Sequence, residues 1–149
     1  MSGRSIGDHA NRAAALANYA LMFFATFTLG ILALLAVILA YVRRGRVDAL
    51  TRSHYDYQIR CFWQDLALIV AGFLCGWGAV ASGIGALLKV YGVTLPWGVT
   101  TGEAGWVAIG LALAWMILWI VGFFNLIVES AAGFLKLASG RPAGKKLLP

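Results

Sequence analysis

Charge and reactive side chains are both scarce in this chain. Among its 149 residues are twelve Lys or Arg, six Asp or Glu, two His and two Cys. No nucleophile stands beside a base, and there is neither a glycine-rich phosphate loop nor a carboxylate dyad, so enzyme chemistry is not expected. Cys61 and Cys75 lie on one expected helix, roughly 21 Å apart at about 1.5 Å per residue, too far to bridge each other. His54, Cys61 and Asp65 share a helix face, yet no second His or Cys cluster completes a metal shell. No metal or cofactor is expected. Haem is disfavoured as well, because His9 and His54 fall on opposite sides of the membrane in the topology derived below.

Hydrocarbon is plentiful. Hydrophobic residues make up 61% of the chain and the mean hydropathy is +0.82. Ala13 to Val42, Leu66 to Leu88 and Ala104 to Val128 contain no charged residue. Apolar runs of this length read as membrane-crossing helices, since about 20 residues at about 1.5 Å rise match a hydrocarbon layer of about 30 Å. The expected fold is therefore an all-α membrane protein forming a single membrane domain over residues 1–149. Its three transmembrane helices cover about 13–42, 61–88 and 104–128. A cytoplasmic connection, 43–60, provides a helical lead-in to the second span, followed by an outer loop at 89–103 and a cytoplasmic tail at 129–149. Met1 to Arg12 carries Asp8 beside its arginines, and the apolar run behind it exceeds a signal-peptide core, so the first span is expected to persist.

The net charge of +6 crowds the span ends. The anionic cytoplasmic leaflet and the insertion machinery account for that placement without nucleic acid. Arg43, Arg44, Arg46, Arg52 and Arg60 outweigh Asp48 and Asp56 in the first connection, whereas the second holds Lys89 against Glu103. The positive-inside bias puts the first connection in the cytoplasm, and three spans then give an N-out, C-in topology. That topology requires Arg4 and Arg12 to be translocated. A competing reading breaks residues 13–42 into two half-helices turning near Thr28, Leu29 and Gly30, although the segment lacks proline. In the outer loop, Tyr91, Trp97 and Trp106 are expected as interfacial aromatics among helix-breaking Gly, Pro and Thr.

At 100° per residue, His54, Gln58, Cys61, Asp65, Gly72, Gly76, Ala79 and Gly83 fall on one face of the second span. Gly72, Gly76, Ala79 and Gly83 form a small-residue row, including a GxxxG, expected to pack against another helix. His54, Gln58, Arg60 and Asp65 are the candidate polar cluster. Asp65 is expected to find a cation among residues 43–52 or to cap loop backbone, because an unpaired carboxylate in hydrocarbon is costly. Asp56 and Arg60 stand at i, i+4 as a surface ion pair.

The strings A-Y-V-R-R-G-R, S-H-Y-D-Y-Q-I-R-C-F-W (Ser53 to Trp63) and G-F-L-K-L-A-S-G-R-P resemble a family of small bacterial inner-membrane proteins of uncharacterised activity, itself distantly similar to the channel component of the chloroplast inner-envelope protein translocon. The similarity covers residues 13–88 and 106–142. It runs through Arg44, Gly45, His54, Tyr55, Tyr57, Gln58, Ile59, Arg60, Phe62 and Trp63. It implies a multi-pass inner-membrane location with about three spans, and no established activity. Cys61 replaces an expected Thr, Glu129 replaces a basic residue and so seeks a partner among Arg43 to Arg52, and the 89–105 loop is longer than usual. The first functional expectation is a non-enzymatic subunit or assembly factor that meets lipids and either a protein partner or other copies of itself. The second is an oligomeric transport or protein-translocation component.

Overall fold

The computed structural model describes residues 2–28, 30–92 and 101–143. Four helices follow one another: α1 (Ser2–Ala25), α2 (Ile31–Arg43), α3 (Ala49–Val90) and α4 (Thr101–Ala138). No strand occurs among the described residues. Two helices, α3 and α4, are long and apolar enough to cross a membrane, while α2 has only 13 residues.

The expected first span is corrected by this architecture. Residues 13–42 do not form one helix, because the chain turns at Thr26 to Gly30 and α2 packs back along α1. Gly30 adopts φ 83°, a left-handed conformation that costs glycine little. The turn is held by Gly30 N–H donating to the Ala25 carbonyl at 3.0 Å and by Thr26 Oγ1 donating to the Phe23 carbonyl at 2.8 Å. The apolar part of each arm is then about 20 Å long, short of a full crossing. Two candidate crossings replace three, and the N-out assignment loses the odd span count on which it rested.

The helical lead-in is present, since α3 runs unbroken from Ala49 through the second apolar run. Asp48 starts it as an N-cap, its carboxylate accepting from Leu50 N–H at 3.1 Å and Thr51 N–H at 3.2 Å. The far end of α4 closes with Gly140 at φ 73°, and Arg141 N–H returns to the Lys136 carbonyl at 2.8 Å. Of the expected outer loop, residues 93–100, including Trp97, lie outside the described residues, whereas Tyr91 and Trp106 are both exposed.

The helices distribute between two compact units. One comprises Met1–Asp65 with Phe123–Pro149, and the other Leu66–Gly122. In the first unit the buried positions follow helical spacing on every element: Ala15, Asn18, Tyr19, Met22 and Ala25 on α1, and Ala33, Ala36, Val37 and Ala40 on α2. On α3 they include Thr51, His54, Tyr55, Gln58, Phe62 and Asp65, and on α4 Leu126, Ser130, Gly133 and Leu137. Alanine dominates the α1–α2 seam. Small side chains there let the two backbones approach closely.

In the second unit, side chains of α4 cover the small residues of α3. A Cβ at Gly72 would stand 3.2 Å from Trp119 Cδ1, and one at Gly76 would stand 3.1 Å from Trp115 Cδ1. At Gly83 a Cβ would meet none of the described residues within 4 Å. Of the glycines in the expected row, Gly72 and Gly76 are therefore in close contact and Gly83, among the described residues, is not, while Gly78, facing Leu111, is an additional close position.

Candidate functional site

Three of the four polar candidates are interior. His54 is 0% exposed, Gln58 1% and Asp65 6%, whereas Arg60 is exposed. Spacings of four and seven residues hold the buried three on one stripe of α3, and the other helices of the unit supply their partners.

His54 is held at both ring nitrogens. Nε2 lies 2.8 Å from the Arg141 carbonyl oxygen and Nδ1 lies 2.9 Å from Tyr19 Oη. A carbonyl only accepts, so Nε2 carries the proton in the neutral ring and Nδ1 receives the Tyr19 hydroxyl. The tautomer is set by geometry. The Tyr19 ring meets the imidazole edge-on at 5.8 Å and occupies the space left by Gly133, where any Cβ would overlap it.

One turn further along, Gln58 Oε1 accepts from Asn18 Nδ2 at 2.7 Å, and Gln58 Nε2 donates to the Ala15 carbonyl at 3.2 Å. Asn18 Nδ2 also reaches the Ala36 carbonyl at 2.9 Å, so one amide ties α1 to both α2 and α3. Each of these bonds is buried, where an unmade bond costs more than a made one contributes.

Asp65 stands apart from this pair. Its Oδ1 accepts from Asn125 Nδ2 at 2.8 Å and its Oδ2 has no partner within the protein. No arginine reaches it among the described residues, which corrects the expected cation pairing. The three side chains thus form two separate polar sites, one joining α3 to α1 and the tail, the other joining α3 to α4. Two further ionic expectations are also corrected. Asp56 pairs with Arg44 at 3.6 Å and not with Arg60, and Glu129 forms no ion pair among the described residues.

The tail is fastened to the same unit. Arg12 donates from Nε to the Leu137 carbonyl at 3.1 Å and from Nη2 to the Leu137 and Ala138 carbonyls at 2.6 and 3.3 Å. A cation at the C-terminus of α4 also complements that helix's dipole. Arg12, Asn18, Tyr19, Asn125 and Gly133 are therefore the residues that sequence reasoning missed. Their signal lay in Asn18 and Asn125, strongly polar side chains within uncharged apolar runs.

Chemically, the arrangement binds helices together. Both His54 nitrogens and all Gln58 bonding atoms face the protein's own groups, and Cys61 is a buried free thiol. No group of three or more His, Cys, Asp or Glu side chains gathers among the described residues in a way that could hold a metal ion. No family model, curated protein or solved structure matches the chain.

Proposed function

We propose that this protein is a non-enzymatic subunit or assembly factor of a complex in the bacterial inner membrane, with α3 and α4 crossing the bilayer. The α1–α2 hairpin enters without crossing, and the basic residues at positions 43–60 and 136–146 lie on the cytoplasmic side. On this reading the chain's amino end lies on that side too, and Arg12 need not be translocated. The charge asymmetry supports the orientation, and the resemblance of Ser53 to Trp63 to bacterial inner-membrane proteins supports the location.

One observation carries the subunit reading. Trp77 is 79% exposed and lies at the midpoint of the uncharged run Leu66 to Leu88, eleven residues from either end. Tryptophan belongs at the headgroup level, where its indole N–H finds an acceptor. At mid-membrane that donor has none in lipid, and an unmade bond there is costly. Trp77 also lines an open apolar groove together with Phe73, Gly76, Val80, Ile109 and Trp115. A partner helix that offers a carbonyl or hydroxyl to the indole resolves the mismatch.

A photocrosslinking residue introduced at position 77, followed by native mass spectrometry of the mildly solubilised complex, tests this. The expected result is one stoichiometric foreign adduct. Adducts to lipid alone would overturn it, and adducts only between copies of this chain would favour the oligomeric translocation component.

A further inference from the structure

A second opening lies in the unit that holds the polar core, among α1, α2 and α3. Ala14, Ala17 and Leu21 of α1 and Leu39 of α2 form its apolar walls, and Asn18, Arg43 and Tyr55 complete it. Its volume is about 150 Å³, room for part of a flexible chain but not for a whole ligand.

Three properties of its lining identify an occupant. Tyr55 is 1% exposed, and its hydroxyl, which makes no well-formed hydrogen bond, lies beside the Arg43 guanidinium. Asn18, 2% exposed, likewise leaves Oδ1 unpartnered although its Nδ2 is fully used. A buried polar atom without a well-formed partner costs about 1–3 kcal/mol, and both of these atoms belong to residues that line the opening. Arg43 stands exposed in the last turn of α2 and has no carboxylate within ion-pair distance among the described residues, whereas its neighbour Arg44 is paired with Asp56. The lining therefore combines an apolar trough, an interior hydroxyl and a cation.

We propose that this crevice is a binding site for an anionic phospholipid. The phosphate is seated on the Arg43 guanidinium, the headgroup and ester oxygens meet Tyr55, and the first methylenes of one acyl chain lie against Leu21 and Leu39. Charge decides between headgroups, since a zwitterionic lipid places a second cation beside Arg43 and an anionic one does not. The site is independent of any partner at Trp77, which belongs to the other unit.

The test uses the purified full chain in mild detergent, with native mass spectrometry to count retained lipid and thermal unfolding to measure stabilisation. Added phosphatidylglycerol is expected to be retained at one molecule per chain and to raise the unfolding midpoint, as any ligand of the folded state does. Phosphatidylcholine is expected to do neither. Arg43→Gln should weaken retention about five- to tenfold. Ala17→Phe, which fills the opening from an exposed position, should abolish retention while leaving the lipid-free unfolding midpoint unchanged. Arg52→Gln is the control, an exposed arginine outside the crevice. Equal loss in Arg52→Gln and Arg43→Gln would reduce the effect to diffuse surface charge and overturn the site. Full retention by Ala17→Phe would overturn the acyl placement. Stabilisation by glycerol 1-phosphate or inorganic phosphate equal to that by phosphatidylglycerol would make it a site for soluble phosphates and overturn the lipid assignment.

Discussion

The Tyr19 hydroxyl lies 2.9 Å from His54 Nδ1, and the ring that delivers it occupies the space where Gly133 has no side chain. Three helices meet in this one relationship. The ring cannot withdraw from Gly133 without giving up the imidazole, and the imidazole is held on its other side by the Arg141 carbonyl.

Gly133→Ala is therefore expected to destabilise the protein by about 1–3 kcal/mol or more, the usual cost of forcing a methyl into a packed interior. Combining it with Tyr19→Leu should cost less than the sum of the two, with a coupling of about 0.5–3 kcal/mol. Thermal unfolding of the four variants in mild detergent reads the cycle. Simple additivity would mean that the ring does not lie over Gly133.

Gly76 and Gly83 share a helical face but differ in what stands opposite. Gly76→Leu drives a large side chain into Trp115 and should cut folded yield severely, whereas Gly83→Leu enters open space and should match the exposed control Ala81→Leu. Size-exclusion recovery after membrane extraction separates them. Equal losses at positions 76 and 83 would restore a packing row that continues past Ala79.

Asp65→Asn should leave the unfolding midpoint unchanged or raise it. The amide still accepts from Asn125 through its oxygen, and a buried charge is exchanged for a neutral NH2 at the unpartnered position, where desolvation costs less. Asn125→Leu, which strands the carboxylate, should lower stability by about 1–3 kcal/mol or more. A large loss in Asp65→Asn would reveal a cation that this chain does not itself supply.

Asp48 governs an acid limb. Burial pushes its carboxyl upward, but hydrogen bonds from the Thr51 side chain and from the Thr51 and Leu50 backbone together outweigh it and hold the group below its ordinary value of 3.8. A carboxylate lowered on folding contributes stability that is fully present above its unfolded pKa and lost as pH falls through the folded one. Unfolding midpoints followed from pH 7 downward should thus drop in the wild type as the pH passes below 3.8. Asp48→Asn, which keeps a cap without a charge, should flatten that drop. Asp48→Ala should lose about 0.5–2 kcal/mol already at neutral pH, towards the lower figure because the carboxyl is mostly solvated. Equal acid sensitivity in Asp48→Asn would assign the limb to another group.

How much was legible depended on whether a feature is periodic. The stripe His54, Gln58 and Asp65 and the close approach at Gly72 and Gly76 repeat at helical spacing, so sequence alone places them on an inward face. The turn at Gly30 does not repeat, and sequence offers it only as the competing reading of residues 13–42, the one the structure adopts. It is one glycine in an apolar run with no proline, and membrane helices carry such glycines routinely. What favours the turn is distant, because Asn18 and Tyr19 find Gln58 and His54 at separations of 40 and 35 residues. Periodicity is blind to such partners. The same blindness misassigned Asp65, since a helical wheel gives the direction of a carboxylate but not the Asn125 amide sixty residues away. It likewise extended the glycine row to Gly83, where a Cβ would meet none of the described residues within 4 Å.

The bond from Arg12 to the Leu137 carbonyl spans 125 residues, and it imposes an order on biogenesis. At about 5–20 residues per second, roughly 6–25 s separate the synthesis of the guanidinium from that of its acceptor. Asn18 and Tyr19 meet Gln58 and His54 earlier, but the α4 strip carrying Gly133 is synthesised later than either. During that interval the amino-terminal hairpin carries its polar groups without their final neighbours. It is then the segment most exposed to a chaperone, a protease or premature translocation.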